Sequence, residues 1–180
     1  ALEGYDPKTV DLPPFLVDTD VTRRVRAEYY TDVTDMDKTL GECLKSMKKY
    51  GYDQTAFFLY TTDNGPQWPH GKWNLYDQGI RVPMLVRWPG HVKPGTTDAL
   101  LPLVDVLPTL LDLTGGKIPA GLDGRSYLPL LKGQRAVHRD TIYTTYTADT
   151  RYGAFNYYPI RSLRTRKYKY ILNLEPERTY

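Results

Sequence analysis

The chain reads as an α/β protein with an incomplete, mostly parallel sheet, helices, and a small antiparallel sheet towards its C-terminal end. Three observations predict this. Apolar residues recur at helical steps through one long early segment. Two short apolar runs without alternation follow, each bounded by Gly and Pro. Beyond Asp140 the texture switches to alternating segments rich in Tyr and Thr. A helix beside strands covered on both faces implies an α/β layer, whereas period-two alternation implies hairpins.

The opening, through "VDLPPFLVDTD", is rich in Pro and Asp and predicts an extended arm over a surface. From Val21 to Tyr50 the apolar positions Val25, Tyr29, Val33, Met36, Leu40, Leu44 and Met47 step by three and four, with Asp20 placed as the N-terminal cap and Gly51 as the stop. "QTAFFLYTTD", Gln54 to Asp63, and "VPMLVRWPG" predict buried strands. "LVDVLPTLLDLTG", Leu103 to Gly115, predicts a helix that tolerates Pro108 in its first turns, and "GRSYLPLLKG" a short helical turn. "DTIYTTYT", "YYPIRSLRT" and "KYKYILNLE" predict an antiparallel sheet, the last two joined by a tight basic turn. The change of texture places a boundary near Gln134, dividing residues 1–134 from residues 135–180. Only about two core strands are supplied, while open sheets usually hold roughly four to six. The rest of the sheet is expected from residues outside this chain.

Composition excludes several classes. At 41% hydrophobic and 25% charged the chain is globular rather than disordered. Its net charge of +3 is small and its basic residues are scattered apart from "RSLRTRKYK", which gives no nucleic-acid surface. No apolar run reaches membrane-spanning length, and "ALEGYDPKTV" lacks the features of a signal peptide. The lone Cys43 cannot form an intrachain disulfide. Sixteen tyrosines against four phenylalanines suit a carbohydrate-facing cleft and equally the packing of amphipathic rings at an interface.

The stretch "TTDNGPQWPHGKWNLYDQGIRVPMLVRWPG" concentrates the chemistry. In α/β sheets ligands sit beyond the carboxyl ends of strands, and Asp63-Asn64 falls there. A carboxylate and an amide carbonyl are hard oxygen donors suited to calcium or magnesium, and Gly65 lets the backbone turn at once. The plainer reading is that Asp-Asn-Gly is simply a turn. Lys72 beside a dication is unfavourable unless an anion lies between them, so the pair points to a negatively charged substrate group; alone, Lys72 reads as a solvated loop residue. His70 is a candidate for proton transfer or for contact with a substrate hydroxyl, and equally for a structural role.

The same stretch, followed in order by "LVDVLPTLLDLTG" and "GLDGRSYLPLLKG", resembles the second half of a type I sulfatase. The resemblance implies the C-terminal part of an alkaline-phosphatase-like fold. It further implies that Asp63 and Asn64 ligate Ca2+, that Lys72 in its Gly-Lys pair contacts the sulfate, and that Tyr76-Asp77-Gln78-Gly79-Ile80-Arg81-Val82-Pro83 leads into the next strand. "YYPIRSLRTRKYKYILNL" is similar to the heparan N-sulfatase branch. Type I sulfatases attack with a formylglycine made from a C/S-x-P-x-R motif, and no such motif exists in this sequence. Cys43, in "ECLKSMKK", lacks the Pro and Arg and is assigned to packing.

The expectation is therefore a C-terminal portion of a larger enzyme, inactive by itself, that needs an N-terminal half of the same protein for its nucleophile and remaining calcium ligands. Its substrate would be a sulfate ester or N-sulfate, expected on a sugar or glycosaminoglycan. A homodimer is one assembly open to it, and family habit implies a periplasmic, secreted or lysosomal enzyme. Two rival functions stand beside this one: a phosphoester or phosphonate hydrolase on the same metal platform, and a non-catalytic carbohydrate-binding fragment.

Overall fold

The computed structural model describes residues 4–149 and 156–177, in two compact units, residues 1–56 and residues 57–180.

The first unit is the arm and one long helix, α1 (Asp20–Lys49). The arm lies along α1, as an extended segment over a surface should. The Tyr5 hydroxyl meets Thr34 Oγ1 at 2.9 Å, its ring packs edge-on against Tyr30, and Val10 and Ala27 are buried. The helix cap differs from the expected one: Thr19, not Asp20, is the N-cap, and its hydroxyl accepts the Thr22 N–H at 3.1 Å. Both residue types cap well, so the sequence leaves the choice to one residue of register. The C-terminal stop is as read. Gly51 takes φ 76°, the Tyr52 N–H donates to the Met47 carbonyl at 2.9 Å, and the Gly51 N–H donates to Lys48. This is a Schellman ending, for which glycine carries no steric penalty. Much of the apolar stripe of α1 stays open within its unit, with Val25 and Val33 each 40% exposed.

Among the described residues the second unit holds two sheets. Strands β1 (Phe58–Thr61) and β2 (Met84–Arg87) pair from Phe58↔Arg87 to Thr61↔Met84. This pairing is antiparallel where a mostly parallel sheet was expected. A parallel neighbour needs a crossover, usually a helix of several turns. The connection here folds into turns around one short helix, α2 (Asp77–Ile80), and returns the chain beside β1 in the opposite direction. Apolar runs report burial and not the sense of the partner, which is why the sequence could not show it.

A 3-10 turn, Leu103–Asp105, leads into α3 (Val106–Leu113), with Pro108 near its start, and α4 (Leu128–Leu131) follows. Strands β3 (Thr141–Asp149), β4 (Asn156–Thr165) and β5 (Lys169–Asn173) form the expected antiparallel sheet in that order, with an irregularity between Tyr146 and Ala148.

The centre of this unit is polar as well as apolar. Tyr127, Thr109 and Asp105 are each 0% exposed. The Asp105 carboxylate accepts from Arg139 Nε at 2.7 Å, from the Arg125 backbone N–H at 2.8 Å, and meets His138 Nε2 at 2.7 Å. Burial opposes its ionisation, but Arg139, the Arg125 N–H and His138 outweigh that and hold the carboxyl below its ordinary range. The Thr109 hydroxyl donates to the Asp105 carbonyl and accepts the Tyr127 N–H, so one buried cluster ties α3 to the segments that follow it.

Candidate functional site

The site is built on the loop joining β1 to β2. Its shape follows from three glycines set where the backbone passes over itself. The Gly65 N–H donates to the Gly79 carbonyl at 2.9 Å, and a Cβ on Gly65 would lie 1.6 Å from the Gln78 carbonyl oxygen. A Cβ on Gly71 would meet the Pro66 oxygen at 2.1 Å, and one on Gly79 the Gly71 oxygen at 2.3 Å. No larger residue fits these positions without moving backbone. The Lys72 N–H closes a further turn on Pro66 at 2.8 Å. His70 and Trp73 both hold left-handed backbone, at φ 63° and 68°, which is uncommon for side chains of that size. The sharp turns set Lys72 between them.

Asp63 and Asn64 sit just past the end of β1. Asp63 is exposed, and its Oδ1 accepts the Asn64 N–H at 2.9 Å. The Asn64 amide donates to the Gly65 carbonyl at 2.7 Å, which leaves its oxygen available as an acceptor. Both side chains line a cleft of about 2210 Å3 together with Lys72, Trp73 and Arg81. His70 is exposed, packs edge-on against Tyr76 with ring centroids 4.7 Å apart, and is not among the residues lining that cleft. Of the four residues that the sequence points to, three thus share the cleft, and His70 is exposed on the same loop.

Two hard oxygens on adjacent residues fit part of a calcium site, since calcium takes six to eight oxygen ligands. Among the described residues no group of three or more His, Cys, Asp or Glu side chains completes such a site. The donor set therefore matches calcium in chemistry and by itself falls short of a full coordination sphere.

The site region has a further charged member. Asp77, at the start of α2, accepts from Arg164 Nη1 at 2.9 Å through both carboxylate oxygens, and from Lys169 Nζ at 2.7 Å. Burial works against its charge, yet Lys169 and Arg164 prevail and keep its carboxyl below the ordinary value. These partners lie 87 and 92 residues away, so no local pattern could announce them.

Asp63, Asn64 and Lys72 thus line one cleft beyond the end of β1, the place where α/β proteins take their ligands. The sequence model of the sulfatase family matches residues 4–116, and that of the N-sulphoglucosamine sulphohydrolase C-terminal region matches residues 67–179. The chain belongs to the sulfatase family. It is 36% identical over 151 residues to an ulvan-active sulfatase of Formosa agariphila, covering 83% of this chain and 29% of that protein. It is 31% identical over 183 residues to human N-sulphoglucosamine sulphohydrolase, covering 96% of this chain and 36% of that protein. Among solved structures, a protein in complex with its substrate D-glucosamine-2-N,6-O-disulfate superposes with a TM-score of 0.71 at 26% identity, covering 87% of this chain and 34% of that one. A 2-O glycosaminoglycan sulfatase superposes with a TM-score of 0.74 at 24% identity, covering 88% and 36%, a likeness of fold. The chain thus spans about a third of the length of these relatives. Among the described residues no helix is long and apolar enough to cross a membrane.

Proposed function

We propose that these residues form the C-terminal portion of a sulfatase that removes sulfate from a sugar, as an O-ester or an N-sulfate. The observation that carries this is the shared cleft of Asp63, Asn64 and Lys72, in a chain of the sulfatase family.

In the whole protein Asp63 and Asn64 would hold calcium, completed by ligands from outside this chain. Calcium, when bound, polarises the sulfate oxygens. Lys72 would offset charge on the sulfate oxygens, an interaction that strengthens as the bond to sulfur breaks. The stiff glycine turns serve this by fixing Lys72 before substrate arrives. His70, exposed on the same loop, is the candidate for contact with the leaving sugar. The nucleophile, a formylglycine by family resemblance, is supplied by residues other than these, and the 180-residue polypeptide alone is inactive. Residues 135–180 begin a C-terminal antiparallel subdomain, and the enzyme is exported or lysosomal.

The decisive experiment assays the complete protein with and without calcium chelation against sulfated mono- and oligosaccharides, an N-sulfated sugar, and phosphate and phosphonate monoesters. Calcium-dependent release of sulfate is expected. Preference for phosphorus esters would transfer the site to the rival hydrolase, and sugar binding without turnover or calcium dependence would transfer it to a binding module.

A further inference from the structure

Arg164 and Lys169 face each other across paired strands: the β4–β5 register sets Arg164 directly opposite Lys169. Like charges at that position destabilise a hairpin unless an anion lies between them. Here the anion is the Asp77 carboxylate, with one oxygen accepting from both cations and the other from Arg164. The Lys169 side chain is only 13% exposed. The C-terminal sheet therefore carries a built two-cation receptor, and what it grips is the first residue of α2. Two residues on, the Gly79 carbonyl accepts the Gly65 N–H at 2.9 Å, and Gly65 follows Asp63 and Asn64 directly.

We propose that Asp77 is a positioning residue: its clamp by Arg164 and Lys169 holds α2, and through the Gly79–Gly65 hydrogen bond sets Asp63 and Asn64 in place as ligands. This inference rests on the function proposed above and gives the C-terminal sheet a part in metal binding rather than in packing alone. Asp77, Arg164 and Lys169 line the same cleft and are engaged with one another, so the clamp acts on the ligands through α2; loss of such a support lowers metal affinity with the ligands themselves intact.

The test uses the complete protein and compares wild type with Asp77→Asn, with the double variant Arg164→Gln/Lys169→Gln, and with Arg164→Lys as the conservative rescue. Arg166→Gln is the control, because Arg166 pairs with Asp98 from the turn of the same hairpin without involving the β1–β2 loop. Three quantities are read: amide exchange at Gly65, calcium affinity by titration, and kcat against KM. Asp77→Asn and the double variant are expected to speed Gly65 exchange and weaken calcium binding on the order of tenfold or more. Arg164→Lys should restore most of the loss, and Arg166→Gln should match wild type. Exchange and calcium affinity in Asp77→Asn indistinguishable from wild type would overturn the proposal, and so would an equal loss in Arg166→Gln. Should Asp77→Asn fail to fold, Lys169→Gln, which keeps the Arg164 pair, is expected to show the same two changes in smaller measure; no change there overturns the proposal as well. A wild type that releases no sulfate would defeat the functional reading, while Gly65 exchange would still decide the clamp.

Discussion

Asp63 and Lys72 are single residues on which the proposed chemistry turns, and each is testable alone. In the complete enzyme, Asp63→Ala or Lys72→Ala should lower sulfate turnover on the order of a hundredfold or more, as loss of one preorganised electrostatic contact does; steady-state kinetics with saturating calcium decides it. Asp105 gives a prediction of a different kind. Its folded carboxyl lies below the ordinary value of 3.8, so the stability it contributes is complete above that value and is lost as pH falls through the folded value. Acid unfolding followed by near-UV circular dichroism should therefore begin below about pH 4, a limb shared with the similarly depressed Asp77. Arg139→Met leaves a buried carboxylate short of its main partner and should cost about 3 kcal/mol at neutral pH. At this scale the sequence was unevenly legible. Asp63 and Asn64 announce themselves because an acid and an amide followed by glycine at a strand end are local chemistry. Asp105 does not, since it stands in an apolar run and its partners Arg125, His138 and Arg139 are 20, 33 and 34 residues away.

Elements were legible where their signal is periodic or terminal. The stop of α1 at Gly51 and the β4–β5 hairpin follow from glycine stereochemistry and from alternation across a short turn. The N-cap was one residue off, and this is measurable: Thr19→Ala should destabilise the first unit by about 1 kcal/mol, and Asp20→Ala by clearly less, in chemical denaturation monitored at 222 nm. The antiparallel pairing of β1 with β2 was not legible. Four half-buried residues in β1 and three in β2, where Leu85 is exposed, satisfy either sense of partner, and the choice is made by how residues 62–83 pack on themselves. That packing rests on glycines whose significance is invisible until backbone from elsewhere in the loop is seen crossing them.

For the whole molecule, the open apolar positions of α1 and the two-stranded β1–β2 sheet agree with a chain about a third the length of its relatives. Purified 180-residue polypeptide is expected to show no sulfatase turnover with or without calcium; metal-dependent turnover by material shown to be free of other chains would refute this. The Gly65, Gly71 and Gly79 crossings carry a consequence for how such an enzyme can diversify. With three backbone crossings pinned at near-contact distance, residues 65–79 cannot gain or lose a residue without breaking a crossing. Insertions and deletions must then fall on either side of this segment. Changes of substrate preference among descendants would arise by exchange of side chains on a loop of fixed length, or by remodelling other walls of the cleft, while the spacing from Asp63 to Lys72 stays constant.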